Sequence, residues 1–328
     1  MGIACGSQVV LCDYPVHLDT YAGCSHGCKY CFARTKQDIA NVRPDNCYKS
    51  VEAFVSGKRG KDLAWCRDGF PLHWGGLSDP FQPAEKRYRT SLRVLEVLAR
   101  SGYPFIVSTK GKLITEEPYL SLIGRCNCVV QVSMLCSSYD KLEPGAPSFE
   151  GRLEMLRALK GNCKRLVVRA QPYMTEIHDE LMENIPKMAE AGAEALTVEG
   201  MKFKKKKPGL VKVEGDWCYD EGELRPRYEQ LKSACHGAGM RFLCAENRLR
   251  PMGDDMACCG CGDVPGFEGN HFHAVRMMNG ERPEPTERMK EAGSGACFKS
   301  LYQQPGVYAK VSQASFVRNM LEYASKRV

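Results

Sequence analysis

Seven short apolar runs punctuate the first 245 residues, and helical patterns separate them. The runs are Val16–Tyr21, Pro71–Gly75, Phe105–Thr109, Val129–Leu135, Arg165–Gln171, Ala195–Val198 and Arg241–Ala245. Between them, Arg87–Arg100 carries Leu92, Leu95, Val97 and Leu98, Phe149–Leu159 carries Leu153, Leu156 and Leu159, and Leu181–Ala191 carries Ile185 and Met188. That spacing gathers apolar residues on one helix face. Gly102, Gly161 and Gly192 follow these segments where a left-handed cap residue is expected. Such alternation folds as a parallel sheet with crossover helices. Past about residue 250 it breaks into Gly, Pro and Cys, with one last helical pattern near Gln313–Ala324. There is no repeat and no low-complexity linker. The expectation is a barrel-like α/β body over residues 1–245 and an irregular, Cys-rich C-terminal cap over 246–328.

No stretch approaches the ~18 apolar residues of a membrane span. The start, Met1-Gly2-Ile3-Ala4-Cys5, lacks a cationic segment followed by an apolar one. A cytoplasmic protein with no membrane partner is expected. Eighteen cysteines in 328 residues are about 5%, below the ~8–10% of a disulfide scaffold. In a reducing compartment such an excess points to metal ligation or catalysis. The net charge of +7 and a pI near 8.6 suit a polyanionic partner or an ordinary enzyme with a basic surface. The charge does not decide between them.

The first run leads into Cys24-Ser25-His26-Gly27-Cys28-Lys29-Tyr30-Cys31-Phe32-Ala33-Arg34. Three cysteines at C-x3-C-x2-C spacing, with glycines among them, suit a loop wrapped around a compact metal centre. A structural zinc takes four protein ligands, so a zinc knuckle here would need a distant fourth cysteine. A [4Fe-4S] cluster held by three thiolates keeps one iron open to a chelating ligand such as the amino and carboxylate groups of S-adenosylmethionine. The triplet after a first strand resembles the radical S-adenosylmethionine superfamily. Gly75-Gly76-Leu77-Ser78-Asp79-Pro80-Phe81, Val107-Ser108-Thr109-Lys110, Val132-Ser133 and Glu143-Pro144-Gly145-Ala146-Pro147 with Arg152 recur in the order seen in its spore photoproduct lyase-like branch.

The resemblance spans about residues 14–200 and implies a partial (β/α)6 TIM-type barrel. It implies a [4Fe-4S] cluster on Cys24, Cys28 and Cys31 at the barrel mouth. Tyr30 would pack near the adenine of S-adenosylmethionine. Gly75, Gly76, Ser78 and Asp79 would lie near its methionine moiety, Ser133 near the ribose, and Arg169 within reach of the carboxylate. One departure matters: where the lyase branch has a hydrogen-donating cysteine, two places before the Ser-Asp pair, this chain has Gly76. Cys136 is the candidate replacement, although a cysteine there also serves as a small packed residue. His17 and Lys110 face the expected mouth and could move protons.

In the tail, Cys258-Cys259-Gly260-Cys261-Gly262 is a second cysteine group. Cys258, Cys261 and Cys297, completed by Cys244 or Cys259, could hold a second iron–sulfur cluster or, less favoured, zinc. The alternative is a set of free or buried thiols. His271 and His273 read as satisfied polar groups rather than paired ligands. Lys202-Phe203-Lys204-Lys205-Lys206-Lys207 follows the sixth run and could bind phosphates, or be a solvated loop. Trp65, Trp74, Trp217 and Tyr219 could stack on a flipped base or serve as core and rim anchors.

Together these features predict hydrogen abstraction from a nucleobase or nucleotide, a modified pyrimidine in DNA, ending in rearrangement or bond cleavage. A reducing protein such as a flavodoxin or ferredoxin would supply electrons. The rivals are the same chemistry on a peptide or small metabolite, and a non-enzymatic nucleic-acid-binding metalloprotein.

Overall fold

Apolar runs with no polar alternation belong to strands covered on both faces, and all seven runs form such strands. The computed structural model describes residues 2–5, 12–14, 16–58, 70–213 and 216–267. The parallel strands are β2 (Val16–Asp19), β5 (Leu72–Trp74), β6 (Phe105–Thr109), β7 (Cys128–Ser133), β8 (Arg165–Tyr173), β9 (Ala195–Gly200) and β12 (Arg241–Cys244). They lie side by side in that order, and β1 (Gly2–Cys5) adds antiparallel to β2 at the edge. Two small antiparallel ribbons stand apart: β3 (Tyr21–Ala22) with β4 (Arg43–Pro44), and β10 (Leu210–Val213) with β11 (Asp216–Tyr219).

The helices are α1 (Tyr48–Val55), α2 (Glu85–Tyr88), α3 (Thr90–Ser101), α4 (Tyr119–Ile123), α5 (Phe149–Leu159), α6 (His178–Glu190) and α7 (Glu221–Gly237). Ser148 caps α5 by accepting from the Gly151 amide at 3.2 Å, and Asp220 caps α7 through Gly222 at 2.8 Å. The pattern over Arg87–Arg100 predicts one helix, but the chain breaks it at Arg89, which takes a φ of 50°. The break lets the buried Glu85 turn back and accept from the amides of Ser91 (3.0 Å) and Leu92 (2.8 Å) at the start of α3.

Two cores lie on the two faces of the sheet. The outer one packs the helices against Leu72, Trp74, Phe105, Val107, Val130, Val132, Leu166, Val168 and Leu196. The inner one joins Ile106, Val129, Val167, Ala195 and Leu243, from β6 through β12, with Tyr14 just before β2. One cluster shared by strands so far apart in the sheet order shows that the sheet curls around it as an open barrel. Ala257, Cys259, Cys261, Val264 and Phe267 complete that inner cluster. The described part of the tail therefore plugs the barrel from inside. It enters at the amino ends of the strands, where Arg165 donates to the Gly260 carbonyl (2.6 Å) and Arg241 pairs with Asp263 (2.9 Å). Trp65, His271, His273, Cys297 and the helical pattern near 313–324 lie outside the described residues.

Candidate active site

The β3–β4 ribbon leaves residues 23–42 as a loop at the carboxyl ends of the parallel strands. Its first residue must be glycine: Gly23 has a φ of +78°, and a Cβ there would lie 2.7 Å from the Asn41 carbonyl oxygen. Gln82 then anchors the cysteine segment. Its Oε1 accepts from the amide (2.7 Å) and hydroxyl (3.1 Å) of Ser25, while its Nε2 donates to the carbonyls of Gly23 (3.3 Å) and Asp79 (3.0 Å). His26 Nδ1 donates to the Gly145 carbonyl (2.8 Å), and its Nε2 lies 3.1 Å from Asp79 Oδ2. The Lys29 amide donates to the Leu142 carbonyl (2.9 Å).

The turn after β5 is equally tied. Gly75 takes a φ of +94°, and a Cβ would come within 2.4 Å of the Ser108 carbonyl oxygen. Asp19 Oδ1 accepts from the amides of Leu77 (2.9 Å) and Ser78 (3.0 Å) and from the Ser78 hydroxyl (3.3 Å). Burial still pushes the Asp19 carboxyl up to about 6 against those donors. Asp79 accepts from Thr109 Oγ1 (2.7 Å) and from the amides of Phe81 (2.9 Å) and Lys110 (2.6 Å). Burial would raise the Asp79 carboxyl, but His26 and these donors outweigh it and hold it below its ordinary value. Asp79 is thus a tie between three segments.

Cations gather beside the cysteines. The buried Glu143 pairs with Arg152 through Oε2, while its Oε1 accepts from the Tyr30 hydroxyl and lies 3.6 Å from Lys110 Nζ. Lys110 also sits 5.9 Å from the centre of the Tyr30 ring. Burial pushes the Cys24 thiol up to about 12 and the Cys28 thiol up to about 11, with Lys110 and Arg152 pulling Cys28 the other way. Burial lowers the Lys110 ammonium. Arg34 folds back to donate to the carbonyls of Gly27 (3.1 Å) and Cys28 (3.2 Å).

The structure thus brings Cys24, Cys28, Cys31, Tyr30, Gly75, Gly76, Ser78, Asp79 and Lys110 to one end of the barrel. Ser133 ends β7 there, with its carbonyl accepting from Arg152 (3.3 Å). Arg169, opposite Ser133 in the β7–β8 register, turns inward and donates to Ser108 Oγ at 2.9 Å. Cys136 lies apart from this group, in the outer core, its thiol 3.9 Å from the Ile177 carbonyl. Trp74 is a core residue at 0% exposure. Trp217 pairs with Phe203 across a bridge, with Lys206 over the Trp217 ring (5.5 Å) and Lys207 over Phe203 (4.5 Å).

The tail cysteines divide between the two cores. Cys244 packs in the outer core, Cys259 and Cys261 belong to the inner cluster, and Cys258 packs against the inner cluster, near enough to Cys244 and Arg169 for charge to act between them. Cys12, which the sequence reading passed over, packs beside Cys258 there. Among the described residues, no three of His, Cys, Asp and Glu are grouped to hold a single metal ion. Also missed were Asp19, Gln82 and Gln37, whose Oε1 accepts from the Gly23 amide (3.3 Å) and whose Nε2 donates to the Leu77 carbonyl (2.9 Å). A polar residue preceding or following a site turn was the only available signal, and many surface residues share it.

No family model matches the chain. The uncharacterized protein Rv2578c of Mycobacterium tuberculosis is 30% identical over 197 residues, 55% of this chain and 57% of that relative. The chain therefore spans little more than half the length of this relative. The uncharacterized protein ORF301 of the Acidianus two-tailed virus is 27% identical over 155 residues, 42% of this chain and 49% of the viral protein. Among solved structures, a spore photoproduct lyase mutant with bound AdoMet and dinucleoside spore photoproduct superposes with a TM-score of 0.56. That match has 15% identity and covers 70% of this chain and 75% of the lyase. SuiB of Streptococcus suis, bound to the precursor peptide SuiA, superposes with a TM-score of 0.50 at 15% identity, over 72% of this chain and 50% of SuiB.

The chain has the fold of the radical S-adenosylmethionine enzymes.

Enzymes of that fold use an iron–sulfur cluster and S-adenosylmethionine, and the cysteine loop at the barrel mouth fits the cluster. Three thiols share one loop, and a cubane takes each thiolate on a separate iron, so the thiols need not close on one ion. The loop is fixed by Gln82, His26 and Gly23 rather than by the thiols, so a cluster would meet a formed cradle. Lys110 and Arg152 beside Cys28 supply positive charge for a thiolate-bound centre.

Proposed function

We propose that this chain is a radical S-adenosylmethionine enzyme of lyase or isomerase type, cytoplasmic, acting on a nucleobase or nucleotide, a modified pyrimidine in DNA. The observation that carries the enzyme reading is the network tying the Cys24–Cys31 loop to the Gly75–Asp79 turn at the carboxyl ends of the strands. When bound, a [4Fe-4S] cluster and S-adenosylmethionine supply reductive formation of a 5′-deoxyadenosyl radical, with the electron from a flavodoxin or ferredoxin. Cys24, Cys28 and Cys31 would hold the cluster, the Gly75–Asp79 turn and Ser133 the cofactor, and Tyr30 its adenine; Arg169, expected near the cofactor's carboxylate, turns instead to Ser108 and Gln171 inside the barrel. Asp79 and Gln82 keep loop and turn in register, and Lys110 balances charge beside Cys28. Cys136, by contrast, acts in packing, since its thiol is committed to the Ile177 carbonyl in the outer core.

The nucleic-acid part rests on the basic hairpin. Lys202 and Lys204 are offset by Glu199 and Asp216, which leaves Lys206 and Lys207 over the half-buried rings of Trp217 and Phe203, with the exposed Lys205 adjoining them in sequence. Cations alternating with aromatic faces suit a single strand or a flipped base. No helix among the described residues is long and apolar enough to cross a membrane. The second reading, a peptide substrate, is favoured by the likeness to peptide-bound SuiB.

The test is 5′-deoxyadenosine formation by the anaerobically reconstituted, reduced protein, with and without oligonucleotides carrying modified pyrimidines. Stimulation above the uncoupled rate, with deuterium passing from the oligonucleotide into 5′-deoxyadenosine, is expected. Cleavage that nucleic acid never changes moves the substrate to a peptide or small metabolite. No cleavage at all removes the enzyme reading.

A further inference from the structure

Inward-facing side chains divide the barrel interior into two levels. The lower level is apolar and plugged by the tail, with Val129, Val167 and Leu243 at 0% exposure. The level above is polar. It holds His17 on β2, His73 on β5, Ser108 on β6, Gln131 on β7 and Arg169 on β8. His17, His73 and Arg169 are half-buried, although their outward-facing neighbours Leu18, Leu72 and Val168 are fully buried. Solvent therefore reaches this level from within the barrel, and it is a lumen.

The charge in that lumen is unbalanced. Arg169 donates through Nη1 to Ser108 Oγ and through Nε to Gln171 Oε1, both neutral partners. It forms no ion pair among the described residues. The acids on adjoining elements are committed elsewhere: Asp19 to the Leu77 and Ser78 amides, Glu143 to Arg152, Glu199 to Lys202 and Glu246 to Arg248. Asp13 acts on Arg250, and the Cys258 thiol, hydrogen-bonded to Cys259, is pulled down by Arg250 and, more weakly, by Arg169. The Arg169 guanidinium therefore has neutral hydrogen-bond partners and no carboxylate partner among the described residues.

Two imidazoles adjoin it. Ser108 Oγ donates to Gln131 Oε1 at 2.7 Å, so its lone pairs accept from Arg169 and from His73 Nε2 at 3.2 Å. His17 stands edge-on to His73, with ring centroids 5.7 Å apart. Burial, with Arg169 adding to it, holds both rings below the ordinary imidazole value. At Gly76 a Cβ would make ordinary contact with His17 Nδ1 (3.5 Å) and Asp19 Oδ2 (3.8 Å), which places this turn next to the polar level.

We propose that Arg169, His17 and His73 form a binding site for an oxyanion, phosphate or carboxylate, carried by the substrate and seated in the lumen below the Gly75–Asp79 turn. The anion completes the unmatched guanidinium with charge-assisted hydrogen bonds, and the imidazoles become protonated donors beside it. Anchored at that depth, the substrate presents to the mouth a carbon set by its distance from the anion. Anion binding here is a property of the chain whether or not the substrate is a nucleic acid.

The experiment follows the histidine ring signals of 15N-histidine-labelled protein at constant pH and ionic strength, titrated with inorganic phosphate and separately with acetate. It is run on the cluster-reconstituted protein with and without S-adenosylmethionine. His17→Gln and His73→Gln assign the signals. Saturable movement of both rings is expected whether or not S-adenosylmethionine is bound, and the tighter anion names the group. Arg169→Gln should weaken binding at least about tenfold, and Arg169→Lys, which keeps the charge but loses the planar fork, should weaken it by less than Arg169→Gln does. No saturable movement up to about 50 mM of either anion overturns the proposal. So does S-adenosylmethionine moving the same signals and abolishing phosphate binding, which would make the anion the cofactor's own carboxylate. Equal affinity in wild type and Arg169→Gln overturns it as well.

Discussion

Two glycine- and cysteine-rich segments, 23–31 and 257–262, look alike in sequence and occupy opposite ends of the barrel. The first sits at the carboxyl ends of the strands, held by side chains other than its thiols, with Lys110 and Arg152 beside Cys28. The second sits at the amino ends, where Cys259 and Cys261 are buried against Val167 and Leu243, and the Cys261 thiol donates to the Cys259 carbonyl at 3.4 Å. Cysteine spacing says that a segment can bind metal. The surroundings say whether the thiols face a polar cradle or serve as small apolar plugs.

The largest effect expected from this contrast is on chemistry. Cys28→Ala should reduce 5′-deoxyadenosine formation to background, more than the roughly hundredfold that loss of a supporting residue costs near a metal. Its thermal unfolding should stay close to wild type, since Gln82 and His26 hold the loop. A collapse of the fold instead would make the two segments alike. Next comes the support. Glu143→Ala strands the buried Arg152, both side chains being 1% exposed, and should cost about 3–5 kcal/mol in denaturant unfolding.

A pH effect of smaller size comes from Asp19, whose carboxyl is raised from 3.8 to about 6. The folded chain binds that proton more tightly than the unfolded one. The stabilisation is therefore complete below the ordinary value and lost as pH rises through about 6. It amounts to something on the order of 3 kcal/mol. Asp19→Asn should flatten that slope in stability measured across the interval. Smallest, Cys261→Ala should cost about 1 kcal/mol, as for a small buried group, and leave the iron content of reconstituted protein unchanged. Iron lost on that substitution would put metal chemistry at both ends of the barrel.

Much of this architecture was legible because it repeats. Seven apolar runs gave seven strands, and Leu153, Leu156 and Leu159 marked α5 by their spacing. α7 could have been read the same way from Leu224, Tyr228, Leu231 and Cys235, with Asp220 as its cap. What escaped has no period. Asp19, Gln82 and Glu85 are single residues that each tie segments distant in sequence through several hydrogen bonds, and an isolated acid or amide looks like any surface residue until its partners are known. The break at Arg89 was hidden because Glu85, not the local pattern, dictates where α3 starts. Cys12 was passed over because its neighbour Cys258 is 246 residues further along the chain. The cysteine loop and the Gly75–Asp79 turn were legible by resemblance. The lumen was not, because His17, His73 and Arg169 come from strands that meet only when the sheet curls.

The plug has a consequence for how the molecule is made. Its lower interior is closed by Ala257, Cys259, Cys261, Val264 and Phe267, which leave the ribosome after every strand of the barrel. Until they arrive, Ile106, Val129, Val167 and Leu243 line an uncovered apolar trough in the nascent chain. That is the kind of surface that recruits chaperones or aggregates. The barrel is therefore finished from its last-synthesised described residues, and a chain stopped just after β12 would be a poor starting point for a smaller version of this protein.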